Sequence, residues 1–144
     1  MWSKTTEYAL RALIYISLSN KEGRRPGFRE IAEAIGAPVQ FTAKILQQMA
    51  KTHLLSSVRG KGGGFFFGRE QEEVKLTEVI KALEGNDYFD VCALGLKNCD
   101  SAHPCPLHNE FFRIRNELAS MSNRETIQGL AAKIANGEAK LKRV

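Results

Sequence analysis

A mainly α-helical fold with one small β-hairpin is what this chain predicts, and three observations carry that expectation. Apolar residues recur at helical spacing through most of the 144 residues. The stretch "SSVRGKGGGFFFG", residues 56–68, sets a valine and three phenylalanines on either side of a glycine run, as at a hairpin tip. From residue 90 to residue 108 the helical spacing stops, and all three cysteines of the chain fall there. The length suits one domain or a compact domain with an appended element. We expect a division into residues 1–88 and residues 89–144.

The elements follow in order. "SKTTEYALRALIYISLS" offers Ser3 or Thr5 as a cap and an apolar series through Leu10, Leu13, Ile14 and Leu18. Ala9, Ala12 and Ile16 make this helix apolar on a second side, which predicts a core or interface position. "NKEGRRPG" reads as a loop. "FREIAEAIG" is a short helix with Ile31, Ala32 and Ile35 inward and Gly36 as its stop. Pro38 starts the next helix, "VQFTAKILQQMAKT", with Phe41, Ile45, Leu46 and Met49 as its core face. "LLSSVRG" and "GFFFGRE" are then the two arms of the hairpin.

Short helix, tight turn, longer helix and hairpin make a helix-turn-helix followed by a wing. Such a unit lays its second helix in a major groove. The candidate DNA contacts are Arg29 on the first helix and Val39, Gln40, Phe41, Thr42, Ala43 and Lys44 at the start of the second. Gln can pair with adenine, Thr with either base edge and Lys with guanine or phosphate. Arg59, Gly60, Lys61 and Gly62 at the wing tip would meet phosphate or an adjacent minor groove. The charge supports a polyanionic partner. Residues 1–70 carry 11 Lys and Arg against 5 Asp and Glu, whereas residues 71–144 carry 10 against 11. A helical hairpin used for protein contacts is the competing reading.

The second constellation is "DVCALGLKNCDSAHPCPLH". Its spacing is Cys92-x6-Cys99-x5-Cys105, with His108 following as Cys-x2-His. An odd number of cysteines cannot pair completely within one chain. No secretory signal or membrane-spanning stretch is apparent, so a cytoplasmic location with reduced thiols is expected. Thiolates gathered on a loop suit a soft metal. Three thiolates and an imidazole would close a tetrahedral zinc site, and the same ligands could hold an iron–sulfur cluster. Spacing alone leaves both open.

Beyond the loop, Leu107, Phe111, Ile114, Leu118 and Met121 alternate steps of four and three. That is a short seam suited to packing a helix against its twin in a homodimer. Arg113, Arg115 and Glu117 beside it are expected to be solvated. "SNRETIQGLAAKIANG" predicts a final helix packing back on the body, and "EAKLKRV" a fraying basic tail.

The pieces "EYALRALIYIS", "EIAEAIGAPVQFTAKILQQM", "LLSSVRGKGGGFFFGR", "LTEVIKALEG" and "CALGLKNC…PCPLH" together resemble the Rrf-type bacterial transcription regulators, the family of the IscR and NsrR iron–sulfur sensors. The resemblance spans about residues 4 to 112. It implies a homodimeric winged-helix repressor or activator that binds a double-stranded operator. It also implies that a cluster on Cys92, Cys99 and Cys105, 2Fe–2S ahead of 4Fe–4S, controls DNA affinity. His108 matches the fourth-ligand position of the IscR type. Glu7 lies where other members recruit a carboxylate from the partner's first helix. Two positions depart from the family pattern. His53 stands where a glycine usually follows the recognition helix, and Ala43 stands where a discriminating relative carries an acidic residue.

An enzyme is not expected. No glycine-rich loop follows a strand and opens a helix, and Cys92 has no activating partner in sequence. A zinc-binding or cluster-free regulator and a zinc-stabilised protein-interaction module remain the alternatives.

Overall fold

A computed structural model describes residues 1–142. The order is α1 (Lys4–Lys21), α2 (Phe28–Ile35), α3 (Val39–Lys51), β1 (Ser56–Val58), β2 (Gly64–Phe66), α4 (Leu76–Glu84), α5 (His108–Arg124) and α6 (Ile127–Ala135). The fold is therefore mainly helical with one antiparallel hairpin, in the winged helix-turn-helix order that the sequence predicts. Among the described residues no helix is long and apolar enough to cross a membrane.

The two-sided apolar pattern of α1 has a direct cause in the packing. The helix lies at the centre and touches α2, α3, α4, α6 and β2. Ala9, Leu13 and Ile16 are fully buried along it. Ser3 begins it, accepting the Thr6 N–H on its hydroxyl at 3.2 Å. Glu84 at the end of α4 fastens the same end, its carboxylate accepting the Ser3 N–H at 2.9 Å and the Thr6 hydroxyl at 2.7 Å.

Gly36 ends α2 in the left-handed region at φ 69°, and the Ala37 N–H donates to the Ala32 carbonyl at 3.0 Å. Pro38 caps α3 just outside the helix. The inward face of α3 is Thr42, Ile45, Leu46 and Met49, so Phe41 leaves the predicted core face and Thr42 joins it. After α3 the chain turns through His53 at φ 61°, which an imidazole tolerates better than most bulky side chains. In the wing Ser56 pairs with Phe66, Ser57 with Phe65 and Val58 with Gly64. Gly63 is required by crowding, since a Cβ there would lie 2.1 Å from the Val58 carbonyl oxygen.

The C-terminal helices return to the body. The Leu76 N–H donates to the Glu125 carbonyl at 3.1 Å, and the Ile127 N–H to the Val74 carbonyl at 2.8 Å. Ile127 and Ala131 of α6 belong to the same buried cluster as α1. The final helix starts later than the sequence predicts, because Thr126 is extended opposite Lys75 and caps α6 through the Gly129 N–H. Ser122 and its neighbours continue α5 instead. In the tail Leu141 packs on the core rather than fraying, while residues 143 and 144 lie outside the described residues.

Candidate metal centre and nucleic-acid interface

The chain between α4 and α5 is a run of turns that brings its cysteines together. The Gly95 N–H donates to the Cys92 carbonyl, and the His108 N–H to the Cys105 carbonyl, each at 3.0 Å. Asp100 holds the intervening turn by accepting the N–H groups of Ala102 at 2.9 Å and His103 at 2.7 Å. As a result the sulfurs of Cys92, Cys99 and Cys105 all lie within 4.8 Å of one another. Cys92 Sγ is 3.6 Å from Cys105 Sγ, and Cys99 Sγ is 3.4 Å from His108 Nδ1. The three thiols are free and half-buried. The His108 ring stacks on Phe112 with centroids 5.9 Å apart.

Backbone N–H groups near Leu96 and Leu94 favour the Cys92 thiolate and lower its pKa to about 7. At Cys99 a backbone hydrogen bond from Cys105 acts in the lowering direction. Burial and the sulfurs of Cys105 and Cys92 outweigh it, so that thiol is raised. The donor set suits a soft metal. Tetrahedral thiolates about 2.3 Å from a zinc would stand roughly 3.8 Å apart, close to the 3.6 Å between Cys92 and Cys105, and an iron–sulfur cluster draws on the same donors. Glu7 sits on α1, ion-paired with Lys4 at 3.0 Å.

On the basic side, Gln40, Phe41 and Lys44 are exposed along α3, with Val39 and Ala43 half-buried. Phe41 is 37% exposed and meets Tyr8 edge-on with centroids 5.8 Å apart. Thr42 does not belong to this face. It is 1% exposed and its hydroxyl donates to the Pro38 carbonyl at 2.9 Å. Arg29, Arg59, Gly60, Lys61 and Gly62 are all exposed. A cleft of about 750 Å³ runs between α3 and the wing, lined by Phe28, Gln47, Lys51, Val58 and Arg59 among others. Gln47 and Lys51 are absent from the sequence-derived set. Helical spacing from Gln40 and Lys44 could have found both.

The predicted seam divides. Leu107 and Ile114 are 46% and 58% exposed, whereas Leu118 and Met121 pack against the chain's own core. Phe111, Ile114 and Leu118 border an apolar recess of about 340 Å³ with Phe89 and Val91. Phe112 is also 45% exposed, on a different side of α5 from Ile114. Arg115 is not merely solvated, since its guanidinium donates to the Val91 carbonyl at 2.6 Å.

A helix-turn-helix with a cationic wing, followed by a thiol-lined loop, defines a winged-helix regulator rather than an enzyme. Residues 2–133 match the model of the Rrf2 family, described as an iron-dependent transcriptional regulator. The chain belongs to the Rrf2 family of transcriptional regulators. It is 29% identical over 133 residues to an HTH-type transcriptional regulator of Aquifex aeolicus, covering 90% of each chain. Its fold resembles CymR, the global cysteine regulator of B. subtilis, with a TM-score of 0.75, 21% identity, and 92% and 96% of the two chains covered. It also resembles T. potens IscR, with a TM-score of 0.74, 19% identity, and 97% and 92% covered.

Proposed function

We propose that this Rrf2-family regulator binds duplex DNA as a homodimer in the cytoplasm, and that an iron–sulfur cluster at Cys92, Cys99 and Cys105 sets its affinity. Convergence of three thiols from a loop with little apolar content is the observation that supports this most. His108 is the fourth ligand in this reading, because its Nδ1 stands 3.4 Å from Cys99 Sγ, though its ring nitrogens are not within 4.8 Å of all three sulfurs. Glu7, engaged with Lys4 on α1, is the alternative. A 2Fe–2S cluster comes first, with 4Fe–4S or zinc as the other occupants. When bound, a cluster supplies redox and ligand-exchange chemistry that a folded polypeptide lacks.

The chain's own residues then do the coupling. The thiolates and His108 fix residues 92–108, and Arg115 ties the start of that loop to α5. Residues 1–88 carry the DNA contacts, residues 89–144 carry the sensor loop and dimer helix, and loop order sets how two copies of α3 are spaced.

Visible absorption and metal analysis of anaerobically purified protein form the first test. Visible bands with iron and sulfide are expected, lost in Cys99→Ala and shifted in His108→Ala. Colourless protein with stoichiometric zinc would overturn the cluster. A spectrum unmoved by His108→Ala would move the fourth ligand to Glu7 or to water. Affinities of metal-loaded and stripped protein for a duplex selected from a random pool should differ at least about five-fold, the low end of ordinary coupling. Equal affinities would overturn the sensor mechanism.

A further inference from the structure

Asn20, one residue before the end of α1, joins three separate stretches of chain. Its Nδ2 donates to the carbonyls of Arg24 at 2.8 Å and Phe65 at 3.3 Å. Its Oδ1 accepts the Phe67 N–H at 3.0 Å. Between these bonds the Phe65 N–H donates to the Pro26 carbonyl at 2.9 Å. The outer edge of β2 is thus paired as though another strand lay beside it. The approach is close, since a Cβ on Gly64 would lie 2.1 Å from the Arg25 carbonyl oxygen. The Arg25 guanidinium covers the Phe66 ring at 4.0 Å.

The same α1–α2 loop is fastened to the helix-turn-helix on its other side. Arg24 donates to Glu30 of α2 at 2.9 Å, and the Tyr15 hydroxyl donates to Glu30 at 2.6 Å. The wing itself is two strands of three residues, a pairing that has little stability alone. Its angle against α2 and α3 therefore depends on what holds its outer edge.

We propose that Asn20 is a positioning residue for DNA binding, holding the wing at the angle from which Arg59 and Lys61 reach the duplex while α3 lies in the groove. This rests on the DNA reading of the wing given above. Asn20 touches no nucleic acid in this scheme and acts through Arg59. The amide is the side chain that fits, since it offers one acceptor to an N–H and two donors to carbonyls. A carboxylate of the same shape would face those carbonyls with no proton to give.

The test is a double-mutant cycle on the full chain, using the pool-selected duplex at fixed salt. Arg59→Ala should weaken binding about ten-fold, the loss of one good contact. Asn20→Ala and Asn20→Asp should each weaken it about five-fold, but less than about two-fold when Arg59 is already alanine, because contacting positions that share one interaction are not additive. Amide exchange at Phe65 and Phe67 should accelerate in Asn20→Ala while exchange in α3 stays unchanged. Gly64→Ala, which pushes β2 off the Arg25 carbonyl, should show the same dependence on Arg59. Wild-type affinity in Asn20→Ala with a weakened Arg59→Ala overturns the clamp alone. So does full additivity of the two losses. An unaffected Arg59→Ala overturns the DNA reading of the wing itself. If Asn20→Ala loses its helical circular dichroism, the residue holds the fold rather than the wing, and the proposal falls.

Discussion

Gln71 is 5% exposed and its side chain makes three hydrogen bonds. The amide accepts from Ser56 Oγ and the Gly68 N–H, each at 2.8 Å, and donates to the His53 carbonyl at 2.9 Å. Gln71→Ala would leave those groups unpaired, and we expect a loss of about 1–3 kcal/mol, read from the urea midpoint. Nothing in "GREQEEV" sets this glutamine apart from its polar neighbours, because two of its three partners, Ser56 and His53, are 15 and 18 residues away. Thr42 misleads in a related way. Its hydroxyl turns back to the carbonyl four residues earlier, so a polar residue becomes core. Glu84 carries a pH signature. Ser3 above all, with Thr6 and the N-terminus, holds its carboxyl below the ordinary value against the opposing effect of burial. Its stabilising contribution is therefore present above the ordinary carboxylate pKa and lost as pH falls through the depressed folded value. Glu84→Gln should flatten the acid limb of melting temperature against pH, and an unchanged limb would show that other carboxylates dominate it.

At the scale of an element, α5 shows how far periodicity reads and where it stops. Spacing places Leu107, Phe111, Ile114, Leu118 and Met121 on one stripe, of which the last four lie on α5 and Leu107 precedes it. Spacing does not say what covers it. Leu118 and Met121 turn toward the body because α4 and the Val74–Leu76 stretch lie beneath that end of the helix. Ile114 stays uncovered. In the homodimer proposed above, Ile114→Asp should therefore give folded monomers by light scattering with little change in melting, whereas Leu118→Asp, at a position half-buried against the core, should lower the melting temperature. An unchanged dimer mass in Ile114→Asp would put the contact on another surface. The glycine-rich hairpin and the cap at Ser3 were legible because each depends on neighbours within a few residues.

Over the whole molecule, the order of elements and the gathering of thiols on one loop could be read from the chain, since both are written locally. That the last helix packs back on the body could be read as well, but not the contacts that seat it there. Gln128 donates to the Gln71 carbonyl at 2.7 Å and accepts the Val74 N–H at 2.8 Å, joining α6 to the segment behind the wing. Such backbone-directed contacts across more than fifty residues leave no periodic trace. They also mean that the core is one continuous cluster from Ala9 to Ala131, built around α1. Because α1 touches α2, α3, α4, α6 and β2, a change on its buried face disturbs the packing of all of them, so the N-terminal residues carry more of the fold than their position suggests.

The clasp between residues 74–76 and 125–127 has a further consequence for the chain as a covalent object. Both ends of the cysteine loop are pinned to structure that does not need the peptide bonds in between. A single protease cut between residues 93 and 104, where Leu94 and Leu96 are 49% and 55% exposed, should not release either half. The nicked protein should run as two bands on a denaturing gel yet elute as one species in size exclusion, with its helical signal kept. Fragments that part on the column would show that the chain's continuity, and not the clasp, holds the last two helices in place.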